Sequence, residues 1–166
     1  IEGNGGIVDA VALSGLIHNT GTISSIGNDG GTVRMAGPAI VNGAGGSIAA
    51  DASALPGGGE GGHVLMASFF NTVLESGSMV SANAFQGDSN GGVITGISAN
   101  SQYIEQGASV TATGANAGRG GTINVMSGNL VSEGLLKAST GNQGEFGKIN
   151  LVTVQDMNLV DDAFDQ

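Results

Sequence analysis

A Gly-Gly pair followed by short apolar or β-branched segments recurs along this chain at Gly5-Gly6, Gly30-Gly31, Gly61-Gly62, Gly91-Gly92 and Gly120-Gly121, with Phe146-Gly147-Lys148-Ile149 as a degenerate sixth copy. Counted from the second glycine, the steps are 25, 31, 30, 29 and 26 residues. Self-similarity at roughly this period marks solenoids and arrays, because one copy is too small to bury its own apolar face and must stack on the next. The period constrains architecture and leaves chemistry open.

A second glycine marker, at Gly21, Gly46, Gly77 and Gly107, follows the first by 15 residues in four consecutive copies, and Gly134 follows by 13 in the fifth. Each opens another short apolar segment that ends in a small residue, as in Ser47-Ile48-Ala49-Ala50. Between the markers lies a third apolar pair: Leu16-Ile17, Ile40-Val41, Val73-Leu74, Tyr103-Ile104 and Leu130-Val131. One copy therefore predicts three short strands.

After each glycine pair the alternation has period two. It puts Val8, Val33, Val64, Ile94, Ile123 and Ile149 on one face, joined by Met35, Met66, Val125 and Leu151, and Asp9, Arg34, His63, Thr95, Thr122 and Asn150 on the other. Three strands per turn, joined by corners and stacked copy on copy, describe a parallel β-helix with rungs about 4.8 Å apart. The expected core is Val33, Val64, Ile94, Ile123 and Ile149. The expected corners are Gly6, Gly31, Gly62, Gly92, Gly121 and Gly147, where a positive φ or a close backbone approach excludes a Cβ. Length varies in the segments between the third strand and the next glycine pair, such as residues 51–60 and 83–90, as expected of loops on one edge.

Glycine at 32 of 166 residues, with few charges, also fits a low-complexity disordered segment. Against that, Leu, Ile, Val and Phe number 41 and fall at repeat-locked positions. The formal net charge of −10 argues against nucleic acid or an anionic membrane surface as partner. No apolar run is long enough to span a membrane. The chain starts without Met or a signal-like leader, so any export signal is expected to lie outside it.

Copies such as Gly30-Gly31-Thr32-Val33-Arg34-Met35-Ala36 with Gly46-Ser47-Ile48-Ala49-Ala50, and Gly120-Gly121-Thr122-Ile123-Asn124-Val125, resemble coils of filamentous haemagglutinin-type exoproteins. The resemblance runs from about Gly5 to Leu151 and implies a right-handed β-helix from the shaft of a bacterial adhesin exported by two-partner secretion. The amino-terminal secretion-domain signature of that family is missing here.

Candidate chemistry is sparse. His18 and His63 fall on different strands without metal-ligand spacing. Asn28-Asp29-Gly30-Gly31 resembles a calcium nonapeptide but does not recur every nine residues. Glu75 and Glu105 each lie two residues before a second marker, so stacking brings them to neighbouring rungs, with Glu133 extending the column; oxygen clusters of this kind suit calcium, and the bland reading is two solvated side chains. Paired carboxylates also permit a glycosidase-like reading, but Tyr103 is the only Tyr and basic residues are few. Asn19 and Asn42 are candidates for an amide ladder, although solvation is the usual fate of turn asparagines. Of Phe69-Phe70, one ring is expected in the core and the other outside.

The expectation is an all-β single domain over residues 1–166, a parallel β-helix of about five and a half coils, uncapped at both ends. Its expected role is that of a non-enzymatic module of an extracellular or cell-surface, bacterial fibre, needing no cofactor, continuing axially into its own kind and meeting host or cell-surface glycans or proteins. The alternatives are a carbohydrate-binding or carbohydrate-cleaving β-helix, and an ice-binding solenoid, which lacks a Thr-x-Thr ladder here.

Overall fold

The computed structural model describes residues 3–54, 59–141 and 143–160, and the backbone of 164–165. The chain is a parallel β-solenoid of about five turns, with no helix among the described residues. The first coil carries β1 (Ile7–Val11), β2 (Leu16–Asn19) and β3 (Thr22–Ser24); the second, β4 (Thr32–Gly37), β5 (Ala39–Asn42) and β6 (Ser47–Ala49); the third, β7 (His63–Ser68), β8 (Asn71–Leu74) and β9 (Met79–Ser81). In the fourth and fifth, β10 (Val93–Ile104) and β12 (Thr122–Ser132) each span the first two strand positions and are followed by β11 (Ser109–Thr111) and β13 (Leu135–Lys137). The last coil holds β14 (Lys148–Thr153), β15 (Met157–Leu159) and β16 (Phe164–Asp165).

Three separate strands per coil thus hold only where the first corner interrupts pairing. Pro38 has no N–H to give in the second coil, and Phe69-Phe70 bulges out of the third. In β10 the ladder runs through the bend with only a register shift between Ser98 and Ser101.

Every ladder is parallel, and apart from that one shift each is in register. Val8, Val33, Val64, Ile94, Ile123 and Ile149 form one column across six first strands. Ile23, Ile48, Val80, Val110 and Leu136 form another on the third strands. Val33, Val64, Ile94 and Ile123 are buried, while Val8 and Ile149, in the outer coils, are only partly so. Burial of each inner side chain contributes about 1.5–3 kcal/mol.

The corner glycines earn their place by close approach, since none of Gly6, Gly31, Gly62, Gly92, Gly121 and Gly147 has a positive φ. A Cβ on Gly62 would overlap Gly31 O, and one on Gly92 would overlap Gly62 O, so coil backbones meet directly at this edge. Gly6 differs, having open space where its Cβ would be.

The second marker resolves into two adjacent columns. Gly45, Gly77 and Gly107 occupy the left-handed position of the corner, with φ of 75°, 77° and 86°. Gly21, Gly46 and Gly134 stand one place later, level with Ser78 and Ala108. In the second coil both positions are glycine, and counting 15 residues from the first marker selects the wrong one.

Candidate functional site

Glu75, Glu105 and Glu133 follow the second strand position of successive coils and stack on one corner: Glu75 N donates to Asn42 O (2.9 Å), Glu105 N to Leu74 O (2.9 Å) and Glu133 N to Ile104 O (2.8 Å). Their carboxylates do not share one point. Glu75 Oε2 accepts from Ala44 N (3.0 Å) and Glu105 Oε2 from Ser76 N (3.1 Å), so each reaches one coil toward the amino terminus and closes the turn there. Among the described residues no group of three or more His, Cys, Asp or Glu side chains is arranged to hold a metal ion. Glu105 and Glu133 do flank an open cleft of about 370 Å³ that is also lined by Val73, Tyr103 and Val131.

The amide ladder exists, in place of the solvated asparagines that turn residues usually give. Asn42 is fully buried, Asn19 Nδ2 donates to Asn42 Oδ1 (2.8 Å), and Asn42 Nδ2 donates to Gly46 O (3.1 Å) and Met79 O (3.0 Å). It stops after two rungs because the next positions in the column are Leu74 and Ile104. His18 and His63 point outward on different strands.

A second polar column lies on the opposite edge. Asp29 Oδ1 accepts from Glu60 N (3.2 Å), Asn90 Nδ2 donates to Glu60 Oε1 (2.8 Å), Arg119 N donates to Asn90 Oδ1 (2.8 Å), and Arg119 Nε pairs with Glu145 Oε2 (2.9 Å). Asp29, which the calcium-nonapeptide comparison singled out, is one link of this chain. The first four members each precede a Gly-Gly pair, a signal present in the sequence: the residue before the pair is Asp, Glu, Asn or Arg from the second copy on.

Beneath it runs a more buried chain. Asp51 accepts from Asn83 N (2.6 Å) and Ser81 Oγ (2.8 Å), while Asn83 Oδ1 accepts from Thr113 N (2.9 Å) and Thr113 Oγ1 (2.8 Å). Burial pushes the Asp51 carboxyl above its ordinary value, against the two donors that favour its ionised form. The variable loops are thereby stitched to one another along the axis.

No family model, curated protein or solved structure matches this chain. The reading of its function therefore rests on the molecule alone. Inside the first corner, Ser68, Thr72 and Ser98 form a closed hydroxyl cluster at 2.8–3.0 Å. Beside it, the inward column that holds Met35, Met66 and Val125 has Gly96, and the long Gln102 side chain fills the space: a Cβ on Gly96 would lie 2.5 Å from Gln102 Nε2. On the outside of the same corner, both rings of Phe69-Phe70 are exposed, at 76% and 58%, rather than one being in the core. Phe69 is level with Pro38 of the coil before it, and the inward side of that bend holds the hydroxyl cluster.

None of these features is a catalytic constellation. Most of the polar side chains named above are spent on hydrogen bonds from coil to coil.

Proposed function

We propose that the chain is a non-enzymatic structural module of an extracellular bacterial fibre, either a stretch of adhesin shaft of the filamentous haemagglutinin type or a self-stacking filament subunit. One observation carries this reading. In the outer coils the inward residues Val8, Ala10, Ile149 and Leu151 are only partly buried, whereas Val33, Met35, Ile123 and Val125, at the same positions further in, are within 2% of complete burial. Among the described residues β1 pairs only with β4 and β14 only with β12, so each end presents a parallel edge that one more coil would satisfy. Hydrogen exchange read coil by coil, with negative-stain microscopy, tests it. Fast exchange in β1 and β14 in dilute solution, slowing as filaments appear, is the expected result. A stable monomer at high concentration whose outer coils are as protected as the third overturns it.

A second reading has the cleft at Tyr103, Glu105 and Glu133 in its favour, because a half-exposed aromatic ring beside carboxylates is suited to a sugar face. Glycan binding that is lost in Tyr103→Ala with the fold intact is its test. Calcium at Glu75 and Glu105 would have to compete with the backbone N–H groups those carboxylates already hold.

A further inference from the structure

The cleft around Tyr103 owes its charge to a shortened turn. Three residues separate Glu75 from β9 and Glu105 from β11, whereas Gly134 alone separates Glu133 from β13. In the longer turns the carboxylate is already engaged one coil back, Glu75 Oε2 by Ala44 N (3.0 Å) and Glu105 Oε2 by Ser76 N (3.1 Å). The equivalent donor for Glu133 is Gln106 N, and that bond does not form. Neither the Glu133 carboxylate nor Gln106 N has a hydrogen-bond partner among the described residues. The missing residues also leave a notch of about 380 Å³ beside Gln106, Gly134 and Val160, and Glu133 lines both this notch and the Tyr103 cleft. Tyr103, 40% exposed, has the smaller apolar Val73 and Val131 on either side in its column. No Lys, Arg or His is among the described residues lining the cleft, and Arg34 and Arg119 are paired elsewhere, with Asp9 and Glu145.

We propose that this cleft takes a cationic sugar, one whose ring carries a free amine, in preference to a neutral or acidic one. The inference rests on the glycan reading of the cleft and adds the charge of the ligand. An ammonium group brings three N–H donors and no acceptor. Glu133, and the oxygen of Glu105 that Ser76 N leaves free, supply acceptors, and the Tyr103 ring adds a face that attracts a cation. Glu105 and Glu133 stand on neighbouring rungs about 4.8 Å apart, where like charges repel, so a cation between them relieves that repulsion. A uronic acid would instead bring a third negative charge to a cleft without a counter-ion, on a chain of net charge −10. A bare calcium ion is poorly served, because two carboxylates fall short of the roughly six to eight oxygens it takes.

Calorimetric titration of the full chain with three tetrasaccharides tests it: the tetramers of glucosamine, of N-acetylglucosamine and of galacturonic acid. The titrations are run at about pH 6, below the range in which an amine loses its proton. The glucosamine tetramer should bind best, the N-acetylated tetramer at least about fivefold more weakly, and the galacturonic acid tetramer not at all. Glu133→Gln should bring the first two within about twofold of each other while leaving the affinity for the N-acetylated tetramer unchanged. Asp88→Asn removes an equal charge from the loop edge and keeps the acceptor that holds Ala117 N, so it should leave the order and the ratio as they were. Equal affinity of the parent chain for the first two tetramers overturns the proposal. So does an Asp88→Asn effect as large as that of Glu133→Gln, which would make the attraction a property of net charge alone. Tetralysine that binds as tightly as the glucosamine tetramer and displaces it would make this a peptide site and overturn the proposal as well. Failure of the glycan reading looks different and takes the inference down with it: none of the three tetramers binds, or Tyr103→Ala changes nothing.

Discussion

Gly96 and Gln102 show how single residues negotiate space inside a stack that cannot change its spacing. Rungs are fixed by the backbone ladder, so each coil must fill the same cross-section; the fifth does it with Val125 and Leu130, and the fourth with no side chain and a long one. Gly96→Val alone should overpack the core and cost about 1–3 kcal/mol. Gln102→Leu removes an amide whose Oε1 has no hydrogen-bond partner among the described residues, and the double variant, which copies the fifth coil, should recover at least about 1 kcal/mol of the loss. Strict additivity in urea unfolding would mean that the two side chains do not share the space. Val64, buried between Val33 and Ile94, gives the complementary test. Val64→Asp should cost at least about 3 kcal/mol, against less than about 1 kcal/mol for outward Thr122→Asp. Similar losses would place Val64 on the wrong face.

At the scale of strands and corners, hydrogen bonds between coils decide what each side chain does. Glu75 and Glu105 look like a cation pair when only their spacing is considered, because spacing does not reveal the unpaired turn N–H waiting one coil away. Millimolar calcium should accordingly leave the thermal midpoint unchanged; a rise of several degrees would return those carboxylates to metal binding. The inward columns were legible because Val33, Val64, Ile94 and Ile123 repeat a period-two pattern in every coil. The corner at Gly45-Gly46 was not, since a count of 15 lands on Gly46 and only φ shows that Gly45, one place earlier, holds the left-handed position. Phe69-Phe70 misled for a similar reason, as hydrophobicity does not say that the inside of that bend is already occupied by hydroxyls. Asp51 gives a test with a definite sign. A carboxyl that burial raises contributes stability that is complete below the unfolded value near pH 4 and is lost as pH climbs through the folded value. Asp51→Asn, which does not titrate, should therefore gain on the parent chain as pH rises above about 4. A difference that is flat or reversed in urea unfolding would show that the Ser81 and Asn83 donors outweigh burial.

For the whole molecule, the absence of helix among the described residues predicts a far-ultraviolet circular dichroism spectrum with strand and loop features only; a helical minimum would contradict it. Another consequence follows from the direction of the backbone ladder. Its hydrogen bonds run along the axis, so tension applied to the two ends of the chain loads them one after another and never all at once. The solenoid should open like a zipper from whichever outer coil is held, at low and nearly constant force. Each released coil of 25–31 residues adds roughly 80–110 Å of slack. A single-molecule trace with regular small steps of that size would be its mechanical signature, whereas one abrupt high-force rupture would mean that the coils hold together sideways as well as along the stack. Built this way, the molecule yields gradually under load and can rewind from the coils that remain.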